Sequence, residues 1–136
     1  MRTTLTAIVI GMGILIAAPA QADRNAPLEN LVDVPVGTVS GNAVPLESLA
    51  RAILSGCARR GWVCDVVAPG EIKGTLVIRS HRADVRIVFD PKKYSIIYLS
   101  SENLRYNPGK NTIHRNYNKW VANLRNDINS SIALLP

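Results

Sequence analysis

Ser100, Ser101 and His114 are the side chains best suited to acyl transfer, in which an imidazole takes the proton of an attacking hydroxyl. The pattern around them is incomplete. No Gly-x-Ser-x-Gly elbow surrounds either serine, and spacing identifies neither an acid to orient the histidine nor an oxyanion hole. Serine and asparagine side chains that close a loop by local hydrogen bonds are the simpler reading. A metal centre is no better supported, because His81 and His114 are the only histidines and have no HxxxH-type repeat. No catalytic residue, metal or cofactor is therefore assigned. His114 is expected to cap a helix or to bond the loop near Ser100.

Amides and aromatic rings are plentiful between Tyr94 and Leu124. That segment reads as a strand, a polar loop rich in Asn, Gly and Pro, and a helix, which should draw Ser100, Ser101, Asn103, Tyr106, His114, Asn116 and Asn118 together. Rings stack on the apolar faces of sugars and amides bond hydroxyls, so the cluster is a candidate binding surface. As turn formers and core aromatics, the same residues would have structural work only. Lys73, Arg79 and Arg86 form a second candidate set, expected on the exposed side of a sheet.

The elements that must hold these residues begin after residue 22. Arg2, an apolar run from Ala7 to Ala18, Pro19 and the small-x-small site Ala20-Gln21-Ala22 read as a secretory signal peptide cut after Ala22. The run is shorter than the ~20 residues of a spanning helix, so the product is expected to be periplasmic and not membrane-spanning after cleavage. Asp23 follows the cleavage site, so no lipid-acceptor cysteine stands there. The 16 Lys and Arg against 10 Asp and Glu give a formal net charge of +6, one unit of which leaves with Arg2. An exported basic protein meets no nucleic acid; its candidate partners are an envelope protein or an anionic component of the cell envelope. The charges are scattered, which also suits a solvated surface. Oligomeric state has no signature here.

Cys57 and Cys64 are the only cysteines, and an oxidising compartment favours their pairing. The intervening turn at Gly61 could bring them within bridging range, and a loop this short would stabilise by about 2.5 kcal/mol in the chain-entropy model. Two buried thiols acting as small apolar side chains are the alternative. The spacing is too wide for a CxxC redox motif.

Residues 23–43, with Pro27, Pro35, Gly37 and Gly41, read as an extended arm, with one edge strand around 32–39. Residues 44–136 read as a single domain. Leu46, Leu49, Ala50, Ile53, Leu54 and Cys57 recur on one helical face after Pro45, and Gly61 is the expected stop. Strands follow at 62–67, 72–79, 84–90 and 94–100, linked tightly enough to imply an antiparallel meander. Pairing Arg79 with Asp84 would set Leu76 against Ile87 and Gly74 against Phe89, with Ile72, Leu76, Ile78, Val85, Ile87 and Phe89 inward. The final hairpin has two registers, one burying Ile97 and Leu99, the other Ile96 and Tyr98. A second helix over 115–134 carries the stripe Tyr117, Val121, Leu124, Ile128 and Ile132.

The segments RGWVCDVVAPGEIKGTL, YSIIYLSSENLRY and IHRNYNKWVANL together resemble a pattern shared by small, mostly uncharacterised proteobacterial envelope proteins, many of them lipoproteins. The similarity spans about residues 45–132. It implies export and a compact α+β fold and brings no activity with it. The chain departs from the lipoprotein members in lacking the lipid-acceptor cysteine. The fold expected is α+β: helix, four-stranded antiparallel meander, helix, with both helices on one face. The functional expectation is an exported, non-enzymatic binding or adaptor protein. The alternatives are a small hydrolase or metal-dependent enzyme around Ser101 and His114, and a binder of an anionic envelope ligand.

Overall fold

A computed structural model of the chain describes Gly11, Gly13, Ile14 and residues 24–136. The leader and its cleavage site otherwise lie outside the described residues. The first helix, α1 (Leu46–Arg59), buries Leu49, Ala52, Ile53, Gly56 and Cys57, much the face its apolar spacing predicts. It stops where Gly61 adopts φ +75°. The Gly61 N–H donates to the Ala58 carbonyl and the Trp62 N–H to that of Cys57, the paired closure that a left-handed glycine after a helix permits. The turn sends the chain back beside α1, and Cys57 and Cys64 come to disulfide distance with their Cα atoms 6.3 Å apart.

Strands β3 (Val63–Ala68), β4 (Glu71–Ile78), β5 (His81–Phe89) and β6 (Lys93–Glu102) form the expected antiparallel meander. The sheet has five strands instead of four. Within the arm, β2 (Leu31–Pro35) pairs with β6, giving the order β2-β6-β5-β4-β3 and making β6 an interior strand. Proline is tolerated at Pro35 because β2 is an edge. A separate two-stranded ribbon joins β1 (Asn25–Pro27) to β7 (Thr112–His114), immediately ahead of α2 (Arg115–Ala133).

The β4-β5 register differs from the expected one. A turn of only Arg79 and Ser80, with Arg79 at φ +55°, lets β5 start at His81, so Leu76 lies opposite Ala83 and Thr75 opposite Asp84. The expectation placed 80–83 in the turn; the shorter turn requires a left-handed φ at Arg79, which non-glycine residues seldom adopt. The displacement is even, so each side chain keeps its face, and Ile72, Leu76, Val85, Ile87 and Phe89 are buried as expected, with Ile78 partly buried. In the last hairpin Phe89 faces Tyr94, the register that buries Ile96 and half-buries Tyr98. A bulge follows Tyr98, and the Tyr98 N–H is satisfied by Asn30 Oδ1 at 2.9 Å.

One core joins Leu49 and Ile53 of α1, the buried strand residues, and Tyr117, Val121, Leu124, Ile128 and Ile132 of α2. The helices touch closely: a Cβ on Gly56 would lie 2.7 Å from the Ile128 Cα, so only glycine allows this approach. On β4, a Cβ on Gly74 would meet the Cys64 sulfur at 2.9 Å, so the missing side chain makes room for the bridge. The Tyr94 hydroxyl donates to Asn129 of α2. Among the described residues, no helix is long and apolar enough to cross a membrane.

Candidate functional site

The bulge in β6 places the two adjacent serines in different settings. Ser100 lies opposite Asp84 and its hydroxyl donates to Asp84 Oδ2 at 3.0 Å, whereas Ser101 Oγ is 2.8 Å from the Tyr98 hydroxyl. Both belong to the strand, not to the loop after it. His114 precedes α2, and its Nδ1 accepts the Asn116 N–H at 3.2 Å. It is thus the helix cap that the sequence suggested, and Asn116 contributes its backbone. Among the described residues, no hydrogen bond joins Ser101 to His114.

The other amides of the cluster have structural duties. Asn103, at φ +62°, donates from Nδ2 to the Ser80 carbonyl, and its own carbonyl accepts from His81 Nδ1 at 2.8 Å. Asn118 donates to the Pro27 carbonyl and accepts the Glu29 N–H, clamping the arm onto α2. Tyr106, 40% exposed, stacks on Tyr98 with ring centroids 4.5 Å apart. Tyr98 in turn meets the edge of Tyr117 at 5.6 Å. Burial raises the Tyr98 hydroxyl above the ordinary phenol range despite its bond to Ser101, and burial raises Tyr117 further. Among the described residues, the buried Tyr117 hydroxyl has no hydrogen-bond partner.

The fold brings His81 and His114 together, with ring centroids 6.3 Å apart and Trp120 6.1 Å from His81. Their separation in the sequence, with no HxxxH-type repeat, gave no sign of this approach. The two-residue turn and the β6 loop bring the two rings together. His114 is held below the ordinary imidazole range, first by burial and then by the positive charges of Arg105, His81, Arg115 and Arg24. Among the described residues, no group of three or more His, Cys, Asp or Glu is placed to hold a metal ion.

The exposed face of the sheet carries the other candidate set. Lys73 and Arg86 are direct cross-strand neighbours, while Arg79 sits apart in the turn. Arg86 donates to Glu71 at 2.6 Å, and Asp65 lies opposite Lys73 on β3. The hub of this face is Asp84, only 5% exposed and overlooked in the sequence. Its carboxylate accepts from Thr75 Oγ1 at 2.6 Å, Arg82 Nε at 3.1 Å and Ser100 Oγ. Burial alone would raise its pKa, but these bonds and the Arg82 charge outweigh burial and hold it below the usual carboxylate range. The signal lay in the alternation of Arg82 and Asp84 opposite Thr75, readable only in the true register.

Compared with protein-family models, curated proteins and solved structures, the chain matches none.

Proposed function

We propose that the protein is exported to the periplasm, its leader removed after Ala22, and that it serves there as a small non-enzymatic binding or adaptor protein of the envelope group its sequence resembles. In this reading both helices lie on one face of the sheet, and the partner is an envelope protein or an anionic envelope component. The surface that meets it is the one built by residues 100–118.

The observation that carries the reading is the state of the reactive groups. Ser100 is committed to Asp84, Ser101 to Tyr98, and His114 Nδ1 to the start of α2. A nucleophile needs its base within hydrogen-bond reach, and here each is held by a different neighbour. Tyr106 and Arg105 stand exposed on the same surface, as rings and cations at recognition sites do. The test is quantitative capture from periplasmic extract by wild type, Tyr106→Ala and Arg86→Glu. A partner retained by Arg86→Glu and lost by Tyr106→Ala supports the loop surface; one with the opposite dependence moves the interface to the exposed sheet face. Identical profiles for all three proteins sink both versions.

A further inference from the structure

We propose that the end of the molecule where β1, β7 and the start of α2 meet is a binding site for a phosphate-class oxyanion, gripped by Arg24, Arg105 and Arg115 beside His81 and His114. Four separated pieces of chain converge there. The Arg115 N–H donates to the Arg24 carbonyl at 2.8 Å, and the His114 N–H donates to the Leu104 carbonyl at 2.7 Å. Asn25 pairs with His114 across the ribbon, and His81 reaches in from β5. The convergence sets three exposed guanidinium-bearing residues around one half-buried imidazole.

Among the described residues, the ion pairs involve Arg60, Arg82, Arg86 and Lys93, and none uses Arg24, Arg105 or Arg115. The nearby acid Glu102 lies opposite Arg82. The first turn of α2 contains no acidic residue, so the positive end of a 19-residue helix adds to the same field. Like charges gathered without compensation repel one another, and an anion among them relieves that repulsion.

The His114 imidazole argues for an anion over a metal. A carbonyl only accepts, so His81 Nδ1 carries a proton to donate to Asn103. His114 Nδ1 accepts from the Asn116 N–H, so its proton sits on Nε2 and that nitrogen has no lone pair to give a cation. An Nε2–H donor amid guanidinium groups suits an oxyanion. Three arginines supply more charge than one carboxylate can balance, and planar guanidinium forks match phosphoryl oxygens in geometry.

The inference rests on the binding reading above and names the ligand chemistry. Its probe is inorganic phosphate, titrated at constant ionic strength against chloride while the ring protons of His81 and His114 are followed by NMR. Saturable shifts are expected with phosphate and not with chloride, together with an upward movement of the His114 titration. Arg105→Gln should weaken the response about tenfold, as loss of a hydrogen bond to a charged group does. Equal shifts with both salts, or undiminished affinity in a folded Arg105→Gln, overturns the site. Sedimentation with phosphatidylglycerol but not phosphatidylcholine vesicles, lost in Arg105→Gln, identifies a lipid headgroup as the source; phosphate binding without sedimentation identifies a free phosphate or phosphoester. Tyr106-dependent capture that persists without any phosphate response overturns the anion site alone. A phosphate response without such capture upholds the site and overturns the adaptor reading.

Discussion

The exposed sheet face and the end around His114 both gather charged residues, and they handle them in opposite ways. On the sheet, Asp84 is bonded by Thr75, Arg82 and Ser100, and Arg86 by Glu71. At the other end, Arg24, Arg105 and Arg115 stand near a histidine whose pKa is lowered first by burial and then by neighbouring positive charges, theirs among them. Paired charges on adjacent strands hold a fold together; unpaired charges held close by backbone bonds cost energy unless something external joins them. The first region is tied together internally, and the second is the one proposed above to meet a ligand.

Removing the centre of the paired region should have the largest effect. Asp84→Ala leaves three donors around a buried gap and should cost about 2 to 4 kcal/mol in urea unfolding, the range for breaking a buried hydrogen-bonded charge. A loss below about 1 kcal/mol would mean that solvent can replace the carboxylate, and the contrast would collapse.

The two regions should separate next by pH. His114 has a folded-state pKa below its ordinary 6.5, so its contribution is present above about pH 6.5 and is lost as pH falls through the folded value. Asp84 is depressed below 3.8, so its contribution is present above about pH 4 and is lost only in stronger acid. His114→Asn keeps a good helix cap without a titrating ring. Its stability should lose the near-neutral limb and keep the acid one, measured as Tm against pH. A near-neutral limb unchanged in this variant would assign it to another group.

Smaller effects should follow at the margins of each region. Glu71→Gln removes a solvent-exposed ion pair and should change stability by about 0.5 kcal/mol or less. Replacing Arg24 and Arg105 together with Gln should leave stability within about 0.5 kcal/mol of wild type and move the His114 pKa back up toward its ordinary value, read by NMR titration. A large loss of stability in that double variant would show that the arginines belong to the fold, and the distinction between the regions would fail.

Much of the architecture is legible in the sequence. The spacing of Leu49, Ile53 and Cys57, and of Tyr117, Val121, Leu124 and Ile128, marked both helices, and Gly61 marked the end of the first. The fifth strand was only half visible, because Pro35 and the glycines of the arm resemble a loop as much as an edge. The candidate cluster was legible as a neighbourhood and not as a network. Sequence placed Ser100, Ser101 and His114 near one another, but one bulge decides that the serines bond to Asp84 and Tyr98 instead of to the imidazole.

What the chain determined by itself is whatever repeats at short range: helical stripes, strand alternation, and the faces of β4 and β5, which survived a wrong register because side chains alternate every two residues. Turn lengths and closures between distant segments follow from how the whole chain packs, and they leave little local trace. The meeting of Arg24, His81, Arg105 and His114 is of that second kind. Each residue is an ordinary scattered charge along the sequence, and only the tertiary structure makes them neighbours whose fields add.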